Sequence, residues 1–157
     1  MPTLQGMSIV DFIHYQPNPN TVAISFASQI DRQFDPNLYA QLSSKYRQYE
    51  DVLVIKADDI PKPIEDCQVF TKNDAKHVKD FVNQYHDRNI VIHCNAGVSR
   101  TGSLIHYVQQ TYPNFKLIGQ QKFSFNPLIS YLLDVDQDNL KRLFNENKDV
   151  MDALKNI

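Results

Sequence analysis

Cys94 and Arg100 stand six positions apart in the run Ile90-Val91-Ile92-His93-Cys94-Asn95-Ala96-Gly97-Val98-Ser99-Arg100-Thr101-Gly102. A thiol beside fixed positive charge is favoured as the thiolate, which is the nucleophilic form. A guanidinium presents a planar fork of donors that matches two oxygens of one phosphate group. Together they suit attack on the phosphorus of an ester. Gly97 sits between them, and without a Cβ it lets the backbone turn sharply and come close to a ligand.

These residues need a scaffold that brings them to one point. Ile90, Val91 and Ile92 predict a short buried strand, and Leu104, Ile105, Tyr107 and Val108 predict a helix whose first turn begins near Ser99 or Arg100. A strand feeding a tight loop that opens a helix aims backbone N–H groups and the positive end of the helix dipole at one place. The expected anion cradle is therefore Asn95, Ala96, Gly97, Val98, Ser99 and Arg100, with Cys94 at its bottom.

His93-Cys94, five further residues, Arg100 and Thr101 resemble the His-Cys-x5-Arg-Ser/Thr loop of the cysteine-dependent protein tyrosine and dual-specificity phosphatases. Ala96-Gly97 and Thr101-Gly102 fit the same pattern. The resemblance implies an Asp as general acid on an upstream loop between a strand and a helix, a place held here by Asp58 and Asp59. The tyrosine-specific branch usually carries Trp-Pro-Asp there, and this chain has no Trp. Ala57-Asp58-Asp59-Ile60 is similar to the dual-specificity and microbial pattern, which favours Asp59 and leaves Asp58 as the alternative.

The resemblance further implies a phosphocysteine intermediate on Cys94 and a hydrogen bond from Thr101 to the sulfur as it leaves, while strand alternation turns His93 away from the pocket and makes it an orienting hydrogen-bond donor instead of a base. The resemblance also raises a Cys67–Cys94 disulfide under oxidation, Asn126 as a support of the reactive loop, and Gln120 or Gln121 as water-positioning groups. Neither metal nor cofactor is required. The implied activity is a protein phosphatase acting on phosphotyrosine and, through a shallow pocket, on phosphoserine and phosphothreonine. Alternatives with the same loop are a nucleic-acid 5′-end or phosphoinositide phosphatase, a catalytically silent phosphate-binding module, and a sulfur-transfer enzyme. Asn95, Ala96 and Val98 are not the lysines that inositide recognition favours, and a sulfur-transfer loop needs no upstream Asp.

Sixteen Lys and Arg against 18 Asp and Glu give a formal net charge of −2, which argues against a nucleic-acid or membrane surface. Met1 to Phe12 lacks the basic start and apolar centre of a secretion signal, and no apolar run approaches the ~18 residues that span a bilayer. A cytoplasmic protein with a phosphoprotein partner is the expectation. With only Cys67 and Cys94 there is no disulfide framework, and His77, His86 and His106 lack a second ligand at metal spacing.

At 157 residues the chain suits one domain, 1–157, with 146–157 as a loosely packed tail. Strands are expected at Ser8 to Phe12, at Thr21 to Phe26, at Val52 to Ile55 with both faces buried, and at Ile90 to Ile92. Helices are expected from Asp35-Pro36 through Tyr46, from a capping box at Thr71–Asp74, after the reactive loop, at Pro127 to Leu133 and at Asp138 to Phe144; Pro113 to Phe125 is expected as loop. The alternation predicts an α/β layered fold with a central mixed sheet flanked by helices, and the resemblance implies that this fold is of the cysteine phosphatase type. The reactive loop falls at a strand's carboxyl end.

Overall fold

The computed structural model describes residues 1–135 and Asp152. Five strands form one sheet in the order β3-β2-β4-β1-β5: β1 Thr3–Met7, β2 Thr21–Phe26, β3 Val52–Ile55, β4 Asn89–His93 and β5 Lys116–Leu117. Every pairing is parallel, so the expected mixed sheet is corrected to a parallel one. Parallel neighbours cannot be joined by a tight hairpin, and helical crossovers lie between them. These are α1 Ile9–His14, α2 Gln29–Phe34, α3 Pro36–Tyr39, α4 Leu42–Tyr46, α5 Lys72–Gln84, α6 Ser99–Thr111 and, beyond the sheet, α7 Pro127–Leu132.

Side-chain alternation along the strands divides the interior into two layers. Ile90 and Ile92 face a core completed by Val78 and Val82 of α5, Leu104 and Val108 of α6 and Ile129 of α7. Val91 and Ala23 face a smaller core with Ile9 and Phe12 of α1, Tyr39 of α3 and Leu42 of α4. All six residues of β2 are buried, as a central strand covered on both faces requires. Among the described residues β3 pairs with β2 alone and leaves Val54 37% exposed, so its apolar run marks a sheet edge instead of the expected doubly buried strand.

Several elements differ from the sequence expectations for local reasons. The first strand is Thr3–Met7, and the apolar residues after it form α1 because Ser8 caps that helix by accepting the Asp11 N–H at 3.1 Å. Ser28 and Asp31 form an unanticipated capping box that starts α2. The helix expected from Pro36 through Tyr46 is divided into α3 and α4. Thr71 and Asp74 do form both bonds of a capping box, at 3.1 and 2.9 Å, and start α5. Within 113–125, Lys116 and Leu117 extend the sheet beside β1. The predicted helix at Asp138 to Phe144 and the predicted tail at 146–157 lie outside the described residues, Asp152 excepted.

Because the strands are parallel, their carboxyl ends share one edge of the sheet. Met7, Ser25 and His93 lie side by side in register, with Phe26 beside Ile55 one step further. The segments that follow β1, β2, β3 and β4 therefore converge at the crevice where ligands bind in open α/β sheets. No helix among the described residues is long and apolar enough to cross a membrane.

Candidate active site

β4 delivers His93 and Cys94 to the carboxyl edge, and residues 95–98 turn the chain into α6. Gly97 makes the turn possible: its φ is +75°, and a Cβ there would stand 2.4 Å from the backbone carbon of Met7. Any side chain would meet both strain and the end of β1. The Gly97 N–H points to Cys94 Sγ at 3.2 Å. The N–H groups of Asn95, Ala96, Val98, Ser99 and Arg100 make no hydrogen bond to a described residue, whereas the Asn95 carbonyl is turned outward to accept from Ile9. Free backbone donors grouped at the start of a thirteen-residue helix form an arrangement suited to an anion.

His93 holds this turn from beneath. Its Nδ1 lies 3.1 Å from the Cys94 carbonyl, which can only accept, so Nδ1 carries the proton and Nε2 accepts from Ser25 Oγ at 2.5 Å. Tyr46 donates to Ser25 at 2.6 Å and completes the chain. The imidazole is stacked on Phe12 and has no solvent exposure. Burial pushes its pKa down to about 4, so it stays neutral. It faces the opposite layer from Cys94, as alternation predicted, and acts on the loop through one carbonyl.

Arg100 is 4% exposed and paired with Asp31 of α2. Nη1 donates to Asp31 Oδ2 at 2.7 Å and to the Ala57 carbonyl at 2.8 Å, while Nη2 donates to Asp31 Oδ1 at 3.0 Å. Burial would raise the Asp31 pKa, but the Arg100 guanidinium outweighs it and holds the carboxylate below its ordinary value. Burial likewise works against the charge on Arg100, and Asp31 raises its pKa beyond the usual range. Asp31 takes one edge of the guanidinium, and Nε is buried without a partner among the described residues. Nε–H and the second proton of Nη2 thus form a free pair of parallel donors. The sequence reading missed Asp31; Ser28-x-x-Asp31 has the form of a helix N-terminus, which gives no sign of a distant partner.

Asp58 and Asp59 separate clearly. Asp58 is 6% exposed and accepts the Gln68 N–H at 2.7 Å, which ties its own loop together. Asp59 is exposed, and its Oδ1 accepts from Ser99 Oγ at 3.0 Å and from Asn126 Nδ2 at 2.8 Å, leaving Oδ2 uncommitted. Asn126 also donates to the Ile60 carbonyl at 3.0 Å and caps α7 by accepting from Ile129. It therefore supports the Asp59 loop, where the sequence reading placed its support on the reactive loop.

Asp31, Asp58, Asp59, Cys94 and Arg100 line one cavity of about 490 Å³, with Ile30, Phe34, Ile60, Cys67, Asn95, Ala96, Val98 and Ser99 completing its wall. Asn95 turns its side chain to Asp35 at 2.9 Å and to Tyr39 at 3.4 Å, so its contribution to the cradle is its backbone. The expected Thr101–sulfur hydrogen bond is not formed: Sγ has the Gly97 N–H instead, and Thr101 Oγ1 is buried with no partner among the described residues. Gln121 reaches the Ala96 carbonyl at 3.4 Å, and Gln120 and Gln121 both line a separate cleft with Gln5, Asp11 and Tyr15. Cys67 and Cys94 are both free thiols. His86 and His106 stack on Tyr112 and Phe125, and among the described residues no group of three or more His, Cys, Asp or Glu is placed to hold a metal ion.

No protein-family model matches the chain, and no curated protein matches it. Among solved structures, the PTP-2 phosphatase of Cydia pomonella is similar at 20% identity and a TM-score of 0.44, over 69% of this chain and 66% of that one. TpbA of P. aeruginosa is similar at 12% identity and a TM-score of 0.42, over all of this chain and 81% of that one.

Proposed function

We propose that the chain is a cysteine-dependent phosphatase that hydrolyses phosphomonoesters on proteins, phosphotyrosine first and phosphoserine and phosphothreonine with it. One observation carries this reading: a thiol, a ring of free backbone donors and the uncommitted edge of a locked arginine share one cavity with an exposed carboxyl group. A phosphate ester needs a nucleophile, a stabiliser for its equatorial oxygens and an acid for its leaving oxygen, and these groups supply all three.

In the first step the Cys94 thiolate forms the S–P bond while the ester P–O bond breaks and Asp59 gives its proton to the departing oxygen. In the second, the Asp59 carboxylate takes a proton from water as the new P–O bond forms and the thiolate leaves. The loop N–H groups and the Nε–Nη2 edge of Arg100 hold the transferring phosphoryl oxygens in both steps. Thr101 Oγ1, buried with its proton uncommitted, is available to the sulfur as it departs. Among the described residues, three carboxylates and no lysine line the cavity, which disfavours polyanions such as phosphoinositides and nucleic-acid 5′ ends. Assaying the purified protein on phosphotyrosine peptide, phosphoserine peptide and phosphoinositide tests the reading; turnover of the phosphoinositide alone would overturn the protein substrate class.

A further inference from the structure

The mechanism uses only the inner side of α2, yet this six-residue helix is anchored more heavily than its length requires. Asp31 grips Arg100, the Gln29 N–H donates to Gln68 Oε1 at 2.7 Å, and Asp35 at its end accepts from Asn95 of the reactive loop at 2.9 Å. The helix is thereby held in fixed register with the reactive loop and with the segment after β3. Its outward positions four residues apart are Ile30, 42% exposed, and Phe34, 78% exposed, and both line the cavity that holds Cys94. Neither belongs to the two buried cores. Folding therefore gives no account of two large apolar side chains at this mouth.

We infer that Ile30 and Phe34 are the specificity-determining residues of the site, forming an apolar clamp for the ring of an aryl phosphate such as phosphotyrosine. The inference rests on the phosphatase reading above and assigns its preferred substrate class. A phosphate seated on the 95–100 amides and Arg100 must leave the cavity through its mouth, carrying the first part of the leaving group past α2. An aromatic ring there meets a Phe face and an Ile side chain, and such contact favours stacking and excludes water. A serine or threonine phosphate offers only a short alkyl stem, which brings the polar peptide backbone to the same place. Pinning α2 through Asp31 and Asp35 keeps the clamp at a constant height above Cys94, so the preference is built in before substrate arrives.

The test compares wild type, Phe34→Ala and Phe34→Leu on a phosphotyrosine peptide and on the same peptide with phosphoserine. Phe34→Ala is expected to lower kcat/KM for phosphotyrosine by about tenfold, mostly through KM, and to change phosphoserine turnover by less than about twofold. Phe34→Leu should recover part of the loss. Since Phe34 is largely exposed, orthovanadate inhibition should be unaltered in both variants and reports an intact floor. Equal losses on the two peptides, or no loss on phosphotyrosine, would overturn the clamp while leaving the phosphatase reading in place. A wild-type protein that turns over neither peptide would overturn both.

Discussion

On the floor of the cavity, Arg100 and His93 are buried and held by side chains from other elements: Asp31 and Ala57 fix the guanidinium, and Ser25 and Tyr46 fix the imidazole. At the mouth, Asp59 and Phe34 are exposed; Asp59 is held through one oxygen only, and Phe34 belongs to neither core cluster. Under the proposed function, the difference matches what each region would have to do. Charge that develops on a phosphoryl group is stabilised best by donors that need no rearrangement, which demands a desolvated and over-determined floor. A proton donor must meet different leaving oxygens and then water, which demands access. The floor should therefore respond to substitution in the same way for every substrate, and the mouth should respond according to the leaving group.

The largest effect is expected on the floor. Arg100→Lys removes the planar fork, and kcat should fall by about 10²–10⁴ on every ester tested. Asp31→Asn never touches the phosphate, yet it leaves Arg100 buried and half-partnered; a stability loss of about 3–5 kcal/mol is expected in denaturant titration. Its loss in kcat/KM should also be independent of the leaving group, with Asp31→Glu restoring part of it. If Asp31→Asn retained wild-type stability and turnover, Arg100 would not depend on its buried partner, and the contrast between floor and mouth would fail.

Asp59→Asn sharpens the contrast from the other side. An alkoxide needs a proton as its bond breaks, so alkyl phosphates should slow by about 10²–10³ while a nitrophenyl phosphate slows by less than about tenfold. Asp58→Asn, which disturbs the loop bond to Gln68, should produce a loss that does not vary with the leaving group. A leaving-group-dependent loss in Asp58→Asn alone would move the acid one residue upstream.

The smallest effect concerns His93 and acid. Its pKa is about 4 in the folded chain, against an ordinary 6.5, because burial disfavours the imidazolium. The unfolded chain thus binds a proton below pH 6.5 that the folded chain refuses until about pH 4. Stability from this group is complete above pH 6.5 and is lost as pH falls toward 4, by about 3 kcal/mol at most. Asp31, held below its ordinary value by Arg100, adds a loss of the same sign at lower pH. Following the His93 ring resonances and the melting temperature over this range checks both; a ring that titrates near 6.5 would show that the floor admits water.

The arrangement of the floor was legible because it is contiguous: His93, Cys94, Gly97 and Arg100 share one stretch, and strand and helix periodicity on either side set its position. What holds Arg100 was not, since Asp31 lies 69 positions away and nothing in its neighbourhood marks the pairing. Asp59 was reached by resemblance, and the structure separates it from Asp58 through burial, a property that two adjacent carboxylates do not reveal in sequence. The parallel sheet also escaped a pattern reading, because β1 contains Gln5 and Gly6 and lacks the apolar run that identified β2 and β4. Val52 to Ile55 misled in the opposite sense, an apolar run at an edge whose outer side remains open.

The proposed covalent step on Cys94 is tested most directly by acid-quenching the enzyme during turnover of a phosphotyrosine peptide and mapping the phosphoryl group by mass spectrometry. Wild type should carry one phosphoryl group, on Cys94, during turnover, and Cys94→Ser should carry none while still binding the peptide. A phosphoryl group on another residue, or turnover that persists in Cys94→Ser, would contradict the account.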